Sequence, residues 1–110
     1  MDNELLQKII KILDNKKAMD IKHMEIKDVT TIADYFVITS GTSSTHIKSL
    51  ADNVEHELKQ DGIYPNKIEG YETGTWILMD YGDVVIHIFT EQERENYNIE
   101  ELWNEMKQKL

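Results

Sequence analysis

No cysteine occurs in this chain, so disulfide frameworks and thiolate metal sites are excluded. Proline occurs once, at Pro65, and there is no Pro-rich, Gly/Ser-rich or low-complexity tract that would mark a linker. Long apolar runs are missing as well. None approaches the roughly 18 residues that a membrane span needs. The N-terminus, MDNELLQKII, has neither the basic start nor the cleavage site of a signal peptide. It is not Arg-rich in the manner of a transit peptide. These absences lead to the expectation of a cytoplasmic chain with no membrane partner. A length of 110 residues fits one domain, residues 1–110. Such a domain buries roughly two-thirds of its unfolded surface, enough for a core without staples.

Positive charge is scarce where it would matter most. The net charge is −9. Residues 1–30 balance six acids against six lysines, whereas residues 69–105 hold ten acids against Arg94 alone. Direct, sequence-specific nucleic-acid binding requires Lys and Arg to neutralise phosphates, so an acidic last third argues against it. The same charge suits a basic protein partner, because opposite fields steer encounter and set specificity. Acidity that merely keeps the chain soluble is the plainer reading.

Apolar periodicity supplies the elements. Leu5, Leu6, Ile9, Ile10, Ile12 and Leu13 recur at helical spacing, predicting an amphipathic helix over about residues 2–16, capped by Asp2 or Asn3. Met19 to Ile26 alternates loosely and reads as a strand. Tyr35 to Thr39 is short, apolar and β-branched, which fits an internal strand. Ile47, Leu50, Ala51, Val54 and Leu58 give the next helix its stripe, and Gly62 stops it. Lys67 to Tyr71 reads as a further strand. Thr75 to Phe89 reads as a hairpin turning at Tyr81-Gly82. Glu91 to Tyr97 is a helical lead-in to a closing helix marked by Ile99, Leu102, Trp103, Met106 and Leu110. The order α-β-β-α-β-β-β-α predicts an α/β chain of the two-layer α+β type, with a mixed sheet of about five strands and flanking helices.

The stretch ADYFVITSGTSST (33–45) runs from strand through Gly41 into a helix start. Ser and Thr there can cap free backbone N–H groups, and a helix start also attracts anions. The loop has no lysine, and neither GxxxxGK[ST] nor GxGxxG is present. Nucleotidyltransferases use a similar layout without lysine, adding paired carboxylates on a later strand to hold magnesium. Alternate residues face one way on a strand, so the pair must read Asp-x-Asp or Asp-x-Glu. No such pair occurs on the strands downstream. Glu91, Glu93 and Glu95 alternate but fall in predicted helix. Asp80 and Asp83 straddle the hairpin turn, too few ligands for a hard cation.

Histidines 23, 46, 56 and 87 form no i, i+4 pair. His87, between Ile86 and Ile88, reads as a strand residue satisfied by a neighbour. With no GxSxG and no Cys, no catalytic residue, cofactor or metal site is assigned. On the hairpin, Trp76, Leu78 and Asp80 share one face, and Ile77 and Met79 share the other. Helices on one side of a small sheet would leave the first face partly open. Trp76 is then either a core residue or an aromatic anchor for a partner.

The stretches DYFVITSGTSSTHIKSLAD (34–52), GTWILMDYGDVVIHIF (74–89) and ERENYNIEELW (93–103) together resemble the ribosomal silencing factor family, RsfS, also called Iojap-like. The resemblance runs from about Leu5 to Trp103. It implies a core similar to that of nucleotidyltransferases but without the catalytic carboxylates, in keeping with the missing Asp-x-Asp. It implies a translational repressor rather than an enzyme. The repressor would bind a basic protein of the large ribosomal subunit, the fourteenth of the L series, and sterically block joining of the small subunit. The family's partner-facing motif falls on Trp76, Leu78, Asp80, Tyr81, Gly82 and Asp83. On this reading Trp76 and Leu78 supply apolar contact, Asp80 and Asp83 pair with basic side chains, and Gly82 shapes the turn. Glu69 and Glu72 stand at the rim. The loop at 40–45 is then a relic of nucleotide-binding geometry that holds no nucleotide tightly. The alternative is a nucleotidyltransferase-like enzyme or nucleotide-sensing domain. A homodimer of the free protein through the same apolar face is a further expectation.

Overall fold

The structure, a computed structural model, describes residues 3–27, 33–97 and 101. Helix α1 (Glu4–Asn15) starts at Asn3, whose side chain accepts from the Leu6 N–H. Its apolar stripe of Leu6, Ile9, Ile12 and Leu13 is buried. Strand β1 (Met19–Glu25) follows, then β2 (Tyr35–Gly41). Helix α2 (Ser44–Gln60) is capped by Ser43 and stops before Gly62, whose φ of 75° is the left-handed turn that glycine accepts without strain. Strands β3 (Lys67–Glu69), β4 (Trp76–Asp80) and β5 (Val84–Thr90) come next, and then α3 (Glu91–Tyr97). The predicted order of elements holds throughout the described residues. The closing helix expected from Ile99 to Leu110 lies outside them.

The five strands form one mixed sheet, ordered β1-β2-β5-β4-β3. β2 and β5 are parallel, joined by a crossover through α2, and the other pairings are antiparallel. β2 is internal, as its apolar run suggested. It extends two residues past Thr39, with Ser40 and Gly41 opposite Phe89 and Thr90. α1 and α2 cover one face of the sheet. There Val37, Ile77, Met79, Val84, Ile86 and Ile88 pack with the helix stripes into the main core. The other face carries a second cluster of Ile26, Ala33, Phe36, Ile38, Val85 and Phe89, with Trp76 and Leu78 packed against it. Arg94 of α3 ties this side together. Its guanidinium donates to the Asp20 carbonyl at 2.6 Å and to the Ser40 hydroxyl at 3.2 Å.

Two expectations shift. Strand β3 ends at Glu69 rather than Tyr71, because Gly70 turns the chain at φ 80° and residues 71–73 form a turn. The hairpin turn is centred on Gly82-Asp83, one residue later than predicted. The Tyr81 N–H donates to the Val84 carbonyl at 2.9 Å, which leaves Gly82 and Asp83 as the two turn residues. Gly82 takes the first of them with φ 85°, the positive value that two-residue hairpin turns demand.

Gly70 bears directly on β4. A Cβ built there would lie 2.0 Å from the Trp76 carbonyl oxygen. Backbone cannot yield as a flexible side chain would. Gly70→Ala is therefore expected to destabilise the chain by about 2 kcal/mol or more, from the positive φ and the clash together. Urea unfolding that moved by less than about 0.5 kcal/mol would refute this close approach.

Candidate functional site

β4 alternates strictly. Ile77 and Met79 are fully buried in the main core, while Trp76, Leu78 and Asp80 stand half-buried on the opposite face. Antiparallel pairing sets β3 beside them, with Glu69 opposite Leu78 and Lys67 opposite Asp80. Both β3 side chains are exposed, and they form an ion pair with each other at 3.4 Å. The result is an apolar pair, Trp76 and Leu78, edged by Glu69, Asp80 and, at the turn, the exposed Asp83. Glu72, the other expected rim charge, is exposed in the turn after Gly70. It lies near Tyr71, whose hydroxyl donates to the Asp52 carboxylate at 3.1 Å. That hydrogen bond, with the acids Asp52, Glu72 and Glu55 nearby, raises the Tyr71 pKa.

The turn is held from three sides. Asp80 Oδ1 accepts from the Gly82 N–H at 2.8 Å. The Asp80 carbonyl accepts from the Asn66 N–H at 2.7 Å. The Asp83 carbonyl accepts from the N–H groups of Asp34 and Tyr35, at 2.9 and 3.0 Å, which fastens the turn to the start of β2. Asp80 therefore has two tasks, one oxygen in the turn and a charge at the surface.

Of the six residues expected to face a partner, the structure brings Trp76, Leu78 and Asp80 together on one face, with Gly82 and Asp83 at its end. Tyr81 goes elsewhere. It is buried on the main-core side of the sheet, 8% exposed, and its hydroxyl has no partner among the described residues. Burial, reinforced by the charge of Glu55, pushes its pKa up to about 12. Alternation alone carries this signal, since Tyr81 continues the series Ile77, Met79.

One residue whose sequence context shows only an ordinary strand lies directly behind Trp76. His87 of β5 is 5% exposed and sits across from Leu78, diagonal to Trp76. The indole Nε1–H donates to His87 Nδ1 at 3.1 Å. A neutral ring that accepts at Nδ1 carries its proton on Nε2, and that nitrogen has no partner among the described residues. Burial lowers the His87 pKa to about 4, so the ring is neutral near pH 7. Phe36 meets it edge-on at 4.7 Å, and Trp76 and Phe89 lie 5.0 Å apart, so the imidazole is enclosed by rings. The expectation of a satisfied strand histidine holds at one nitrogen and not at the other.

The loop at 40–45 is spent on structure. Ser43 Oγ accepts from the His46 N–H at 3.1 Å, the standard N-cap bond. The Thr42 N–H donates to His46 Nδ1 at 3.0 Å, and His46 Nε2 lies 3.3 Å from the Lys16 carbonyl. Beside the loop, at the carboxyl ends of β2 and β5, is an open depression of about 570 Å³ lined by Thr42, Ser44, Thr75, Thr90, Glu91, Gln92 and Glu95. Among the described residues hydroxyls, an amide and carboxylates line it without a cationic side chain, a poor match for a triphosphate. Among the described residues no group of three or more His, Asp or Glu is placed to hold a metal ion. No helix among them is long and apolar enough to cross a membrane.

The family model described as ribosomal silencing factor during starvation matches residues 2–110. A protein of Halalkalibacterium halodurans named Ribosomal silencing factor RsfS is 38% identical over 104 residues, covering 94% of this chain and 89% of that one. A Mus musculus protein named Mitochondrial assembly of ribosomal large subunit protein 1 is 33% identical over 98 residues, covering 86% of this chain and 43% of its own. A crystal structure of a Chromobacterium violaceum protein superposes with a TM-score of 0.89 at 34% identity, covering 92% of this chain and 84% of the other. The match runs through the hairpin, both core helices and the whole mixed sheet, and the family it identifies is regulatory rather than enzymatic: this chain belongs to the ribosomal silencing factor family.

Proposed function

We propose that this protein represses translation by binding the large ribosomal subunit through the outer face of β4 and blocking association of the small subunit. The observation that carries the reading is the set Trp76, Leu78 and Asp80 on one strand face, edged by Glu69 and Asp83. An aromatic and an aliphatic side chain edged by three acids, one of them paired with Lys67, fit a basic surface, and aromatic anchors dominate interface energies. The partner proposed is a basic ribosomal protein of the large subunit, the fourteenth of the L series. Family membership supports a ribosomal target, and the name of the mouse relative points to the large subunit. The mechanism is occlusion. A bound domain denies the small subunit its docking area, so no bond is made or broken and no cofactor is needed. The site of action is the cytoplasm.

Subunit joining tests this. Isolated large and small subunits are mixed at a magnesium concentration that favours association, and the joined fraction is read by light scattering. The protein is expected to lower that fraction in proportion to its amount until it matches the large subunits. It is also expected to sediment with large subunits and not with small ones. Joining that is unaffected at saturating protein would overturn the occlusion mechanism.

A further inference from the structure

The buried histidine behind the docking face has a cost that the fold does not explain. Among the described residues its Nε2–H has no acceptor, and an unsatisfied buried donor destabilises by roughly 1–3 kcal/mol. An apolar side chain of similar size would fill the space between Phe36, Trp76 and Phe89 without that penalty. What an apolar side chain would lack is Nδ1, the acceptor for the Trp76 indole.

We infer that His87 is a positioning residue for the docking surface, holding the Trp76 indole in a single orientation through the hydrogen bond from Nε1 to Nδ1. The inference rests on the outer face of β4 being the docking surface. A half-buried tryptophan on a strand has two side-chain torsions, and the second is broad. Packing on Phe89 fixes the plane of the indole, 5.0 Å away and tilted 31°, but does not choose between its two edges. The hydrogen bond does, because only one edge carries the N–H. It turns that edge inward to His87. The neutral ring is suited to this task. A protonated imidazole would present a second N–H to the indole in place of a lone pair. An anchor fixed beforehand loses less freedom when the partner arrives, so affinity gains without any new contact.

A double-mutant cycle separates this role from a structural one. His87→Phe removes the acceptor and keeps a ring. Trp76→Phe removes the donor and keeps an aromatic anchor. His87→Asn keeps an acceptor at the δ position. Binding to isolated large subunits is measured for each variant, with circular dichroism to confirm folding. His87→Phe is expected to weaken binding roughly three- to tenfold when Trp76 is present, the worth of one hydrogen bond. In the Trp76→Phe background the same change is expected to add less than a twofold loss. His87→Asn is expected to recover most of the affinity. In a Trp103→Phe background, which leaves Trp76 as the one tryptophan, fluorescence anisotropy of Trp76 is expected to fall in His87→Phe.

Equal losses in both backgrounds, or no loss with Trp76 intact, would overturn the inference and leave the docking surface standing. Full binding by Trp76→Ala would instead overturn the docking surface itself. If His87→Phe folds poorly because the larger ring overfills the site, His87→Leu takes its place in the same cycle.

Discussion

The paired change Trp76→Ala, Asp80→Lys is expected to abolish co-sedimentation with isolated large subunits, weakening binding by roughly a hundredfold or more. Two separate losses add. An aromatic anchor at the centre of an interface commonly contributes about 2 kcal/mol or more. Reversing a charge that faces a basic partner replaces attraction by repulsion, at a cost of several kcal/mol. Asp80 needs a control, because its Oδ1 also accepts from the Gly82 N–H. Asp80→Asn keeps that acceptor while removing the charge, so its binding reports the charge alone. Wild-type binding is also expected to weaken as salt rises, since the rim acids are exposed and screened. Large-subunit binding that survives the paired change would leave the family assignment intact and move the contact surface off β4.

Acid is expected to destabilise the fold between about pH 6.5 and pH 4, with His87 as the main source. The native pKa is lowered to about 4, against an ordinary value of 6.5. Between those values the unfolded chain binds a proton that the native chain refuses. Stability from this group is therefore complete above about pH 6.5 and is lost as pH falls towards 4. A difference of that size corresponds to about 3 kcal/mol. For a domain of this length that is a large share of the total. Urea unfolding at pH 7 and at pH 4.5 measures it. The wild type is expected to lose roughly 2–3 kcal/mol more between those pH values than His87→Phe does, since phenylalanine does not titrate. Parallel losses in the two proteins would show that His87 gains a proton in the folded state as readily as in the unfolded one.

Both predictions concern one strip of the sheet, and its parts were not equally legible. The elements were written locally. Asn3 and Ser43 at the helix starts, the stripes in α1 and α2 and the β-branched run before Gly41 each act within a few residues. Family membership was legible for a similar reason, because three stretches in the right order identify a chain whatever contacts they make. The turn was misplaced by one residue, since Tyr81-Gly82 and Gly82-Asp83 look alike as turn chemistry. Only the Tyr81–Val84 hydrogen bond chooses between them. That choice keeps Tyr81 in step with Ile77 and Met79, and so in the core.

What the sequence determined by itself was a mixed five-stranded sheet with helices, an acidic last third and a strand face bearing Trp76, Leu78 and Asp80. These follow from spacing, composition and the period of two along a strand. The tertiary structure decided which distant residues meet. It placed β5 between β2 and β4, and it set the hairpin register that brings His87 diagonally behind Trp76, 11 positions away in the chain. It set Gly70 against the Trp76 carbonyl, where a side chain has no room. Strand order and register depend on how whole elements pack over the core, and no local pattern in the chain encodes them.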